Sequence, residues 1–170
     1  MKNLQKNEVY QKMSPDSRVW IYQSNRKFSE AESKEIQAKL NEFTASWAAH
    51  GKALTACASV VYDQFLIVLV DEQNHAASGC SIDASVHFVK SIEQAYQVNL
   101  FNRLQIAYQV ANEIKTADMA GFKKMAATGK ITADTLVFNN MISKKKELEN
   151  KWLVPVTASW HKQLLPKVFS

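Results

Sequence analysis

A chain of 170 residues with 46% apolar and 22% charged side chains has the make-up of a folded globular protein long enough to bury a core. Four glycines and three prolines exclude collagen-like or low-complexity architecture, and two cysteines, Cys57 and Cys80, exclude a disulfide framework. The formal charge of +5 is mildly basic. Much of the excess lies in "GFKKMAATGK" and "SKKKELENK", which read as solvated lysine faces rather than a nucleic-acid patch.

The opening "MKNLQKNEVYQKMSPDSR" holds no apolar stretch, so no signal peptide is expected. Residues 1–14 read as a loose polar segment ending at the turn signal "SPDS". "RVWIYQS" alternates Val19 and Ile21 against Trp20 and Tyr22, the pattern of a strand. "FSEAESKEIQAKLNEFTASWAAHG" predicts a helix: Ser29 and Glu32 form a capping box, Gly51 supplies a stop, and Ile36, Leu40, Phe43 and Trp47 make one apolar stripe.

"LTACASVVY" and "FLIVLVDE" are β-rich runs joined by a tight turn. "FLIVLV" is also the longest apolar run, too short to cross a bilayer, so a soluble, reduced, cytoplasmic protein is expected. A helix follows "SGC" and runs to about Gln97, with Ile82, Val86, Val89, Ile92 and Tyr96 inward. "RLQIAYQV" alternates again, and a short strand around "EIK" is expected to fold back on it. Beyond it, "TADMAGFKKMAATG" predicts a short helix closed by Gly129, "TLVFNN" an extended piece and "SKKKELENKW" another helix.

The order β-α-β-β-α-β predicts an α+β fold of ferredoxin-like type, an antiparallel sheet with both helices on one face. Residues 15–115 would form this core and residues 116–170 a helical C-terminal elaboration packed on it, because no Gly/Ser/Pro-rich linker separates them.

The blocks "RVWIYQSNRKFSEAE", "WAAHG", "ASGCSIDASV", "LFNRLQIA", "TADTLVFNN" and "ELENKWLVP" together resemble a family of small uncharacterised bacterial proteins. Its members are often labelled ABC-transporter ATPases, although the resemblance implies no established reaction. The label fails on chemistry here. A phosphate-cradling loop needs G-x-x-x-x-G-K-[ST], and neither "HGKAL" nor "TGKIT" supplies the hydroxyl residue or the earlier glycine. The stretch "KKMAATGKITADTLVF" resembles part of GYF-like adaptor modules, which bind proline-rich or partner peptides, but lacks their aromatic signature.

Chemistry concentrates in "DEQNHAASGCSIDASVHF". Cys80 at a helix start sits among amides that favour a thiolate, while Asp83 in the same turn opposes one. His87 lies about 10 Å further along the helix, leaving His75 as the sequence-near imidazole able to fold back. The competing reading is structural: Ser78, Gly79, Cys80 and Ser81 form turn and cap. Spacings of His75, Cys80, Asp83 and His87 match no metal motif, so neither a metal nor a cofactor is expected. His161, beside Trp160, reads as solvated. Trp20 and Tyr22 either lie on an open sheet face, as base-stacking platforms do, or are covered by the C-terminal elaboration.

These features favour a non-catalytic binding module for a small molecule or protein partner, with neither nucleic acid nor membrane as partner. The candidate site lies where "NHAASGCSID" meets "IYQSNR": Gln23, Asn25, Arg26, His75, Ser78 and Cys80. Two alternatives stay open, a thiol-dependent enzyme using Cys80 and a single-stranded RNA binder using Trp20.

Overall fold

A computed structural model describes residues 1–167. It is a mixed helix and sheet protein with antiparallel sheets, and the chain divides into two compact units. The first comprises Met1–Phe101 with the short segment Ser143–Lys146, and the second comprises Asn102–Ile142 with the chain from Glu147 onward.

In the first unit, helices α1 (Lys2–Gln5) and α2 (Glu8–Lys12) precede β1 (Arg18–Gln23) and α3 (Glu30–Ser46). A two-residue hairpin, β2 (Ala48–Ala49) and β3 (Lys52–Ala53), leads to β4 (Thr55–Val61), β5 (Phe65–Asp71) and α4 (Gly79–Tyr96). The capping box forms as expected, with Ser29 Oγ accepting from Glu32 N and the Glu32 carboxylate from Ser29 N. Gly51 does not stop α3, which ends at Ser46; its φ of +76° instead serves the turn between β2 and β3.

The sheet has the order β1-β5-β4, all antiparallel. Strand alternation sends Ala58, Val60, Leu66, Val68 and Val70 to one face, where Ile36, Leu40 and Trp47 of the α3 region and Val89 and Ile92 of α4 bury them. Cys57, Phe65, Ile67 and Leu69 occupy the opposite face and are also buried. There Met13 Sδ lies 3.7 Å from Cys57 Sγ, and Asp71 Oδ2 accepts from Ser14 N at 2.8 Å.

The first fourteen residues are therefore not loose. Leu4, Tyr10 and Met13 are buried, so helices cover both faces of this sheet rather than one. Four- and five-residue helices carry too few turns to display an apolar period, which is why composition alone reads this segment as solvated.

Both edges of the sheet are bonded over part of their length. On β4, Gln37 Oε1 accepts from Val60 N at 2.9 Å and its Nε2 donates to Ala58 O at 3.1 Å, a side-chain amide standing in for a further strand. On β1, Val19 N donates to Ser143 O, and Lys145 N to Ser17 O, each at 2.9 Å. Lys144 and Lys146 grip Asp16 at 3.1 and 2.8 Å. Lys145 is buried, and its ammonium donates to the carbonyls of Tyr10 (2.7 Å) and Met13 (2.9 Å) while lying 4.4 Å from the Tyr10 ring centroid.

The second unit contains β6 (Gln105–Val110), β7 (Glu113–Asp118), α5 (Met119–Ala127) and β8 (Leu136–Phe138). Helix α6 (Lys145–Asn150) enters it after its first two residues, and β9 (Leu153–Pro155) and two 3-10 turns follow. Its sheet has the order β7-β6-β8-β9, with Ile106, Tyr108 and Val137 packed on Phe122 and Ala126 of α5.

The ferredoxin-like layer is thus corrected. The first sheet holds three strands, and its expected fourth, "RLQIAYQV", pairs instead with β7 and β8. The boundary falls at 101/102 rather than 115/116, and what reads as a helical elaboration is a sheet-bearing unit that includes β6. Alternation identifies a strand but not its neighbour, because pairing is decided by non-local packing. The expected backfolding of "EIK" on β6 is present as β7.

Candidate functional site

The antiparallel register decides the fate of the candidate site. Gln23, at the end of β1, pairs with Phe65 at the start of β5, whereas the loop carrying His75 and Ser78 leaves β5 from Asp71 at the other end. Six strand steps, about 20 Å, separate the two ends. Helix α4 then runs back over about 27 Å, so its last turn, not its first, reaches the Arg26 loop. Gln23, Asn25 and Arg26 form one group and His75, Ser78 and Cys80 another, and the expected junction between them does not form.

At the first end, Arg26 is a clamp. Nη1 and Nη2 donate to Glu32 Oε2 and Oε1 at 2.8 and 2.9 Å, and Nη2 also donates to Tyr96 O at 2.8 Å. This fork ties the start of α3 to the end of α4, where unpaired carbonyls favour a cation. The guanidinium, then the Ser29 amide, hold the Glu32 carboxyl down at about 2. Asn25 Oδ1 accepts from Asn99 N at 2.8 Å, and Gln23 is buried. Nearby, Gln64 Nε2 donates to Ser24 O at 3.2 Å.

At the second end, His75 Nε2 lies 2.7 Å from Ala49 O and pins the loop to the β2–β3 hairpin by donating to that carbonyl. Ser78 is the N-cap of α4, its Oγ accepting from Ser81 N at 3.2 Å, as the capping reading expects. Cys80 is exposed in the following turn. His87 bonds through Nδ1 to the Asp83 carbonyl of its own helix at 2.9 Å. The polar residues around the thiol are engaged in local structure. Cys57, the second thiol, lies in the core, where burial pushes its pKa to about 12.

The aromatic pair of β1 faces the helices of the first unit. Tyr22 packs edge-on against Phe101 at 5.4 Å, and Trp20 lies 6.2 Å from Trp47 with Arg18 over its ring at 4.7 Å. An open stacking platform is not what this geometry provides.

His161 overturns its sequence reading. It is 1% exposed in the second unit, stacked on Trp160 at 3.9 Å with Phe122 at 6.1 Å, and its Nδ1 lies 2.8 Å from Ser159 Oγ. Burial lowers its pKa to about 4, so the imidazole is neutral near pH 7. The readable signal was spacing: His161 and Leu164, both buried, stand three residues apart in a single 3-10 turn.

Among the described residues no group of His, Cys, Asp or Glu is placed to hold a metal ion, and no helix is long and apolar enough to cross a membrane. No protein-family model, curated protein or solved structure matches this chain.

Proposed function

We propose that the protein is a non-catalytic binding module that docks a protein partner through its second unit. One observation carries this reading: Leu104 and Met141 are 65% and 69% exposed, the two most exposed large apolar side chains among the described residues. Leu104 immediately precedes β6 and Met141 follows β8; because these strands are antiparallel neighbours, both residues emerge at the same end of the sheet. Solvated apolar side chains grouped at one end of a sheet suit an interaction site. The stretch resembling GYF-like adaptor modules covers much of α5 and all of β8, in the same unit, and supports a peptide or protein partner.

A small-molecule site at the six candidate residues is less well supported, because the antiparallel register divides them between two ends of a sheet. The reading includes a cytoplasmic location and membership of the bacterial family that the sequence blocks resemble, without ATPase activity. The test is affinity capture from bacterial lysate with wild type, the double variant Leu104→Asp/Met141→Asp, and Cys80→Ala. Partners held by wild type and Cys80→Ala but lost from the double variant are expected. An identical set on all three would refute the reading.

A further inference from the structure

The edges of the first sheet are bonded over part of their length by Gln37 and by Ser143–Lys146, whereas β7 ends the second sheet with Glu113, Lys115 and Asp118 exposed and Ile114 and Thr116 half-buried. Val110 and Glu113 flank the two-residue turn Ala111–Asn112, whose φ angles of 49° and 63° suit a tight hairpin, and they pair with each other. The backbone groups of Glu113, Lys115 and Ala117 therefore point to β6, and those of Ile114 and Thr116 point outward. Among the described residues no backbone group bonds these outward amides and carbonyls. Alternation places Glu113 and Lys115 on one face of the strand and Ile114 and Thr116 on the other.

We infer that two copies of this chain join their β7 edges antiparallel, with Ile114 facing Ile114 of the second copy and Glu113 of each facing Lys115 of the other. Only registers that oppose outward-pointing residues extend the ladder, which leaves Ile114–Ile114, Ile114–Thr116 and Thr116–Thr116. The second sets Lys115 against Lys115. The third sets Ile114 against Asp118, whose carboxylate already caps α5 by accepting from Gly121 N at 2.6 Å. The first opposes Glu113 and Lys115 twice over, in the closely spaced positions where opposite charges attract and like charges repel. A lysine on an open strand ordinarily keeps it single. Here the glutamate two positions earlier neutralises it in one register only, so charge selects both the partner and the alignment. The shared ladder spans only residues 113–115 of each copy, which makes the dimer weak.

The experiment is sedimentation of the full chain over a concentration series, with amide exchange at Ile114 and Thr116. A reversible dimer is expected, with exchange at Ile114 slowing as concentration rises and exchange at Thr116, which this register sets against the turn residue Asn112, unchanged. Lys115→Glu, which opposes two carboxylates at each contact, should weaken it roughly tenfold or more. The exchanged pair Glu113→Lys/Lys115→Glu should restore it. A chain that stays monomeric to millimolar concentration, a dimer indifferent to Lys115→Glu, or a folded exchanged pair that fails to reassociate would each overturn the inference.

Discussion

Lowering the pH from 7 to 5 should destabilise the protein by about 2 kcal/mol through His161 alone. Its imidazole sits at about 4 in the fold against 6.5 when exposed, because burial between Phe122 and Trp160 disfavours the charged form. Between these values the unfolded chain binds a proton that the native state refuses. The stabilisation is complete above pH 6.5 and falls as the pH drops, and the full gap corresponds to about 3 kcal/mol, lost by pH 4. The carboxyl of Glu32, held at about 2 in the fold against an ordinary 4.5, adds its own loss only below about pH 5, and that loss is common to both proteins compared. Urea unfolding at pH 7, 6 and 5 measures the slope in wild type and in His161→Phe, which keeps an aromatic ring but cannot titrate. The variant should lose the His161 share of the slope. Parallel slopes in the two proteins would refute the assignment.

Two further outcomes follow from the same packing. A thiol reagent should modify Cys80 in the native protein and Cys57 only on unfolding, since Cys57 is buried with a pKa near 12; rapid native labelling of both would contradict the core placement. Lys145→Ala should cost about 2–3 kcal/mol, because the Tyr10 and Met13 carbonyls lose their donor, whereas Lys144→Ala, at a half-exposed pair, should change little. Equal losses in urea unfolding would show that the buried ammonium is no anchor.

What the sequence disclosed depended on how local the signal was. Helix α3 was legible because Ser29 and Glu32 mark its start and Ile36, Leu40 and Trp47 recur on one face. The β4–β5 hairpin was legible from two β-rich runs with a short turn between them. The neighbour of β6 was not, since alternation in "QIAYQV" suits either sheet. The candidate site failed for the same reason. Gln23 ends β1 and Ser78 follows the end of β5, and only the register of β1 on β5 reveals that these are opposite ends of the sheet. Lys145 was read as one of a solvated run because its partners, Tyr10 and Met13, lie more than 130 positions away.

The return of Ser143–Lys146 to the first unit has a practical consequence. Neither half of this molecule is one uninterrupted stretch of polypeptide, so a gene cut after Phe101 would not release the first half intact. Such a fragment would lack the groups that bond Val19 N and the Tyr10 and Met13 carbonyls. Separating the halves calls for rejoining the chain in a new order, with the four-residue strap carried along.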